Sequence, residues 1–193
     1  MREFVLIRHA QSMHNARKTS DLNSTLTSEG LWQAEVIGRY LRENYALDKY
    51  EKRVSPYLRC VQTASYIWPQ FTIDLGAMET ACLYTEDSIV SLAKYNGIEL
   101  TGYVQFNYNV FGKHDGIDHK HETLREFLSR MEEYVASFED GAYLIVAHGG
   151  VVCTMANIIT KRPHGRWGEC LNASISHFKD DKEICYSKPI PIE

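Results

Sequence analysis

The sequence predicts an α/β fold, a three-layer α/β/α sandwich in which helices cover both faces of a mainly parallel central sheet. Three observations carry this expectation. Short apolar runs rich in β-branched residues alternate with segments whose apolar residues recur at helical spacing. Two of these runs, Phe4-Val5-Leu6-Ile7 and Tyr143-Leu144-Ile145-Val146-Ala147, have the unbroken hydrophobicity of strands buried on both sides. The chain of 193 residues is 44% hydrophobic and 24% charged, which suits one sizeable core, and no repeat, low-complexity stretch or linker divides it. Residues 1–193 therefore read as a single domain, with an irregular insertion or lid around 75–116.

The elements follow in order. The first strand runs straight into Arg8-His9 and a polar turn, and residues 16–26 lack periodicity and read as a loop over the strand edge. Thr27 is placed to cap a helix with Leu31, Ala34, Ile37 and Leu41 on one face. Residues 50–54 form a short strand candidate, and Ser55-Pro56 starts the next helix, with Ser as cap and Pro in the first helical position. Arg59 then falls in the first helical turn. A strand at 71–74 leads into a turn, 75–79, that brings Glu79 to the same sheet edge. A short helix is expected over 86–94, and residues 96–116, rich in Gly, Asn and aromatics, form the irregular insertion. The clearest helix covers 119–138, with Leu124, Phe127, Leu128, Met131 and Phe138 on one face, and Asp140-Gly141 ends it. The strand 143–147 enters His148-Gly149-Gly150 and a further helix. Segments 174–178 and 183–186 pair as a hairpin across Asp180-Asp181, and residues 188–193 form a tail with two prolines.

A net charge of -4 argues against a nucleic-acid partner, whose phosphates call for a basic face. It leaves room for an anionic substrate, because a few arginines can set the field of a pocket. No signal-peptide pattern opens the chain and no apolar run is long enough to cross a bilayer, so no membrane partner is expected. The five scattered cysteines, without a C-x-x-C pair, read as reduced thiols and point to a cytoplasmic location. Oligomeric state is not encoded in any feature of the sequence.

In parallel sheets of this kind, ligands bind beyond the carboxyl ends of the strands. Arg8, His9, Arg59, Glu79 and His148 all map to that edge. Arginine offers a planar fork of donors and histidine titrates near neutrality, so two of each at one edge make a pocket for a dianion, a phosphoryl group above all.

The blocks Leu6-Ile7-Arg8-His9-Ala10-Gln11-Ser12-x-x-Asn15, Leu26-Thr27-x-x-Gly30-x-x-Gln33-Ala34, Ser55-Pro56-x-x-Arg59-Cys60-x-Gln62-Thr63-Ala64 and Val146-Ala147-His148-Gly149-Gly150 resemble, in order, the histidine phosphatase superfamily. The resemblance implies a phosphoglycerate-mutase-like fold and a single catalytic domain. It implies that His9 accepts the phosphoryl group, that Arg8, Arg59 and His148 complete the phosphate pocket, and that Asn15 adds a contact. Glu79 is the implied general acid, with Glu86 as its rival, and His148 joins His9 and Glu79 as a catalytic residue. No cofactor or metal is implied. The segment 114–122 is dense in His, Asp and Glu but reads as a solvated loop, and Glu122-Thr123 resembles a family Glu-Ser pair that could cap the helix or touch phosphate.

The loop after Asn15 lacks the Gly-Trp block associated with cofactor-dependent phosphoglycerate mutases, and the chain is shorter than theirs. The reading is therefore a metal-independent phosphomonoesterase acting on a small phosphorylated molecule or a phosphoprotein. The alternatives are a phosphoglycerate mutase and a non-catalytic phosphate- or phosphoprotein-binding module.

Overall fold

The computed structural model describes residues 1–21, 23–79, 122–163 and 169–190. Among these, six strands form one sheet in the order β3-β2-β4-β1-β5-β6. The strands are β1 (Arg2–Arg8), β2 (Glu51–Val54), β3 (Thr72–Ile73), β4 (Gly141–Ala147), β5 (Ile175–Lys179) and β6 (Lys182–Lys188). Strands β1, β2, β3 and β4 are mutually parallel, while β5 runs antiparallel to β1 and β6 antiparallel to β5. The sheet is thus mixed, with a parallel part that carries the histidine strand ends. The turn of the β5–β6 hairpin is Asp180-Asp181, and both residues take positive φ, 50° and 63°, as a tight two-residue hairpin turn requires.

Alternation along the strands divides the core in two. Val5, Ile7, Leu144 and Val146 point to one face, where α1 (Ser28–Asn44) and α2 (Leu58–Ile67) cover them. Phe4, Leu6, Tyr143 and Ile145 point to the other, under α3 (Leu124–Ala136) and α4 (Gly149–Ile159). Thr27 caps α1 by accepting from the Gly30 N–H, and Gly30 itself is required by close approach: a Cβ there would lie 2.0 Å from the Gln11 carbonyl oxygen. The first helix is thereby pressed onto the turn that follows β1.

Three expectations change. Helix α2 starts at Leu58 with Tyr57 as cap, so Ser55 and Pro56 stay outside it. Ser55 is held extended because its N–H continues the sheet ladder to the Val146 carbonyl at 3.0 Å. Helix α3 begins at Leu124, where Thr123 and Glu126 close a reciprocal capping box, so residues 122 and 123 are not helical. Residues 75–79 do not start a lid: Leu75–Ala77 is a buried 3-10 turn, and the rest of the expected insertion, with the helix expected over 86–94, lies outside the described residues.

That turn rests on a buried polar cluster. Asp74, 0% exposed, accepts from Arg53 at 3.0 Å, Tyr134 at 2.8 Å and the Gly76 N–H at 2.9 Å. Removing one partner of a buried ion pair strands the other without solvation. Asp74→Ala is expected to lower unfolding free energy by about 3 kcal/mol, read as a lower urea midpoint with an unchanged m-value.

Candidate active site

The site forms where parallel strands end together. Arg8 pairs with Ala147 as the last step of the β1–β4 ladder, so His9 and His148 leave the sheet side by side. The His9 N–H continues the ladder to the Ala147 carbonyl at 2.9 Å. The imidazole centroids are 5.2 Å apart, and the residues are 2% and 0% exposed.

Arg59, second residue of α2 and buried, joins them. Its Nε donates to His9 Nε2 at 3.1 Å and its Nη2 to His148 Nδ1 at 3.0 Å. The guanidinium lies 4.5 Å above the Tyr57 ring, a cation–π contact that steadies it. Because a guanidinium only donates, each imidazole nitrogen facing it is a lone pair. The other nitrogens therefore carry the protons: His9 Nδ1 donates to the Ala10 carbonyl at 2.7 Å, and His148 Nε2 donates to Ser55 Oγ at 2.8 Å. Burial, then the Arg59 charge, holds both imidazoles well below the ordinary histidine pKa. Both are neutral at physiological pH.

Glu79 stands beside His148. Its Oε1 accepts from the Gly150 N–H in the first turn of α4 at 2.8 Å, and its Oε2 lies 3.6 Å from His148 Nδ1. With His148 neutral this second contact is not an ion pair. Burial raises the Glu79 pKa, opposed in part by the Gly150 N–H and nearby arginines. Gly150 leaves room for the carboxylate, since a Cβ there would lie 2.2 Å from Oε1. The turn leading to Glu79 is clamped by Arg130, which donates to the carbonyls of Gly76 at 2.8 Å and Met78 at 3.0 Å. Both oxygens of Glu122 hold that arginine in turn, at 2.7 and 2.9 Å.

Arg8 donates through Nη1 to the Cys170 carbonyl, while its Nε is buried without a hydrogen-bond partner among the described residues. Asn15 is more remote: its Oδ1 accepts from Ser12 at 3.0 Å and faces Asn172 Nδ2 at 3.4 Å, and the same Asn172 nitrogen donates to the His9 carbonyl at 2.9 Å. Glu86 and residues 114–121 lie outside the described residues. Among the described residues no group of three or more His, Cys, Asp or Glu could hold a metal ion.

Sequence reasoning assigned none of Ser55, Asn172 and Arg130 to the site, and it read Ser55 only as a helix cap and part of a family-like block. A signal existed for one of them, because Ser55 directly follows a strand that ends beside His148. Cys60 Sγ is 3.5 Å from His148 Nε2, but burial pushes its thiol up to about 12, so it packs there as a thiol.

The arrangement joins two permanent cations, an imidazole lone pair and a carboxyl group that keeps its proton to higher pH than an ordinary glutamate. It can bind an anion, attack it and protonate what leaves. The buried imidazoles also make stability pH-dependent. The unfolded chain takes up protons below about pH 6.5 that these two groups refuse when folded, so stability falls as pH drops through that range. Nitrogen NMR should show His9 and His148 still neutral at pH 6, and an imidazolium signal from either there would contradict this geometry.

The family model for the histidine phosphatase superfamily (branch 1) matches residues 4–186. A search of curated proteins returns no match. Solved structures share the fold at low identity. A phosphoserine phosphatase from Entamoeba histolytica in complex with 3-phosphoglyceric acid is 17% identical, with a TM-score of 0.63 over 96% of each chain. A mycobacterial glucosyl-3-phosphoglycerate phosphatase is 22% identical, with a TM-score of 0.59 over 92% of each. The ecdysone phosphate phosphatase from Bombix mori, in complex with tungstate, is 17% identical, with a TM-score of 0.67 over 100% of this chain and 95% of that one. With four sequence blocks converging on one sheet edge and a family match across nearly the whole length, the chain belongs to the histidine phosphatase superfamily.

Proposed function

We propose that the protein is a metal-independent phosphomonoesterase, one catalytic domain acting on a small phosphorylated substrate through a phosphohistidine on His9. The observation that carries the reading is the Arg59 bridge between His9 Nε2 and His148 Nδ1, with Glu79 at its side. The phosphatases among the solved relatives favour hydrolysis over phosphoryl isomerisation. The free thiols among the described cysteines fit a reducing, cytoplasmic setting, and no helix of the described residues is long and apolar enough to cross a membrane.

The chemistry follows from the tautomers. A phosphoryl group entering between the histidines takes the Arg59 donors and the buried Arg8 Nε–H, which frees the His9 Nε2 lone pair. That lone pair attacks phosphorus, the P–O ester bond breaks, and its electron pair leaves with the alkoxide, which takes the Glu79 proton. The arginines stabilise the equatorial oxygens, with Asn15 as a further contact, and His148 joins them in its other neutral tautomer, with the proton on Nδ1 and Nε2 accepting from the Ser55 hydroxyl. Water then attacks the phosphohistidine, Glu79 accepts the water proton, and the P–N electron pair returns to Nε2. His9 must be unprotonated and Glu79 protonated, so lowered and raised pKa values respectively widen the pH range in which both hold.

A phosphomonoester panel assayed with EDTA tests the reading. Phosphate release that persists in EDTA and is lost in His9→Ala is expected; equal rates in wild type and variant, or isomerisation of a phosphoglycerate outpacing phosphate release, would overturn it. Activity should fall as pH rises through the Glu79 pKa. Glu79→Gln should lower kcat on alkyl phosphates by about 10²-fold or more, yet far less on p-nitrophenyl phosphate, whose leaving group needs little protonation. Gly150→Ala, which crowds the carboxylate, should show the same leaving-group dependence in weaker form.

A further inference from the structure

Thr123 and Glu126 close the cap of α3 between themselves, and the carboxylate of Glu122 turns to Arg130 instead. Both of its oxygens accept from that guanidinium, at 2.7 and 2.9 Å, and each side chain of the pair is only 8% exposed. Taking two charges out of water is unfavourable unless further hydrogen bonds use the remaining donors. Arg130 directs those donors to one place: Nη1 to the Gly76 carbonyl at 2.8 Å and Nη2 to the Met78 carbonyl at 3.0 Å, with the Phe127 ring 5.2 Å from the guanidinium. Met78 directly precedes Glu79.

This clamp sets up a conflict. Arg130 fixes the segment that presents the acid, yet a permanent cation there favours the carboxylate, the form that has no proton to give. Among the described residues Glu79 also faces Arg8 from β1, Arg59 and the Cys60 thiol from α2, His148 after β4 and the Gly150 N–H of α4. The three arginines and the Gly150 N–H favour its ionisation, and burial opposes them. An uncompensated cation on α3 would work against the acid. Glu122 supplies the compensating charge in a bidentate grip.

We propose that Glu122 and Arg130 are a positioning pair for the general acid: Arg130 fixes the turn that presents Glu79, and Glu122 balances the charge that this clamp brings beside the carboxyl. The inference rests on the phosphomonoesterase reading, in which Glu79 protonates the leaving group, and adds two residues that act through Glu79.

Two variants separate the clamp from the charge. In E122Q the Arg130 charge is unbalanced, so Glu79 gives up its proton at lower pH. The alkaline fall in kcat on the best alkyl phosphate of the panel should then move down by about one pH unit, and carboxyl-carbon NMR of Glu79 should read the same shift without turnover. E122M/R130M removes both charges and the clamp together. There, kcat on the alkyl phosphate should fall about tenfold through loss of positioning, and on p-nitrophenyl phosphate less than about twofold. Because it strands no buried charge, this double variant keeps the proposal open to refutation if E122Q fails to fold. Equal losses on the two phosphates in E122M/R130M, or a Glu79 titration in E122Q that stays at the wild-type pH, would overturn the proposal. The titration shift in E122Q with no phosphate release by wild type would overturn the phosphatase reading and leave the pair's hold on Glu79 standing.

Discussion

One buried guanidinium holds the site together. Arg59 touches a nitrogen of each histidine, and that contact exists only while both imidazoles are neutral, since an imidazolium would meet the cation with like charge and no acceptor. Burial and the arginine's own charge enforce neutrality. The same condition leaves His9 with a lone pair, so the interaction that organises the pocket also prepares the proposed nucleophile. Helix α2 is tied to both strands on which this depends: Thr63 accepts from the Ala10 N–H at 3.0 Å, and the Cys60 thiol packs on His148. Asn23, from the loop before α1, accepts from the Leu58 N–H at 2.8 Å and fixes where the helix starts.

The two ends of the sheet carry different polar clusters. At the carboxyl end the arginines gather around neutral acceptors. At the other end Glu3 is a focus of donors, from Tyr50 at 2.5 Å and from Lys49 and His177 at 3.1 Å. Burial acts to raise its pKa, yet these bonds bring it down to about 2. The stability Glu3 contributes is therefore present above the ordinary glutamate range and disappears as pH falls towards 2, below the range where the histidines begin to act. One end anchors the strands and the other carries the proposed chemistry.

Much of this was legible in the sequence, because strand ends and helix starts are local signals. Unbroken apolar runs located β1 and β4, and parallel alternation brought Arg8, His9, Arg59 and His148 to one edge without any knowledge of side-chain positions. What was not legible depends on contacts distant in sequence. Asn172 reaches the His9 carbonyl from 163 positions away, and Arg130 clamps the Glu79 turn from 54 positions beyond Gly76. Ser55-Pro56 reads as a helix start on local preference, but the ladder bond to Val146 holds Ser55 in the strand direction, and its hydroxyl orients His148 instead. The start of α3 is the opposite case: the capping box of Thr123 and Glu126 was present in the sequence, and the apolar period alone extended the helix too far.

The proposed mechanism makes His9 Nε2 the atom that receives the phosphoryl group. Brief exposure to a phosphomonoester, a quench under the alkaline conditions that preserve phosphohistidine, and peptide mass spectrometry would locate the adduct directly. The account predicts a single phosphoryl group on the peptide containing His9, absent in His9→Ala and lost with time as phosphate is released. Substrate turnover with no adduct on that peptide, or with an adduct on His148 instead, would contradict it.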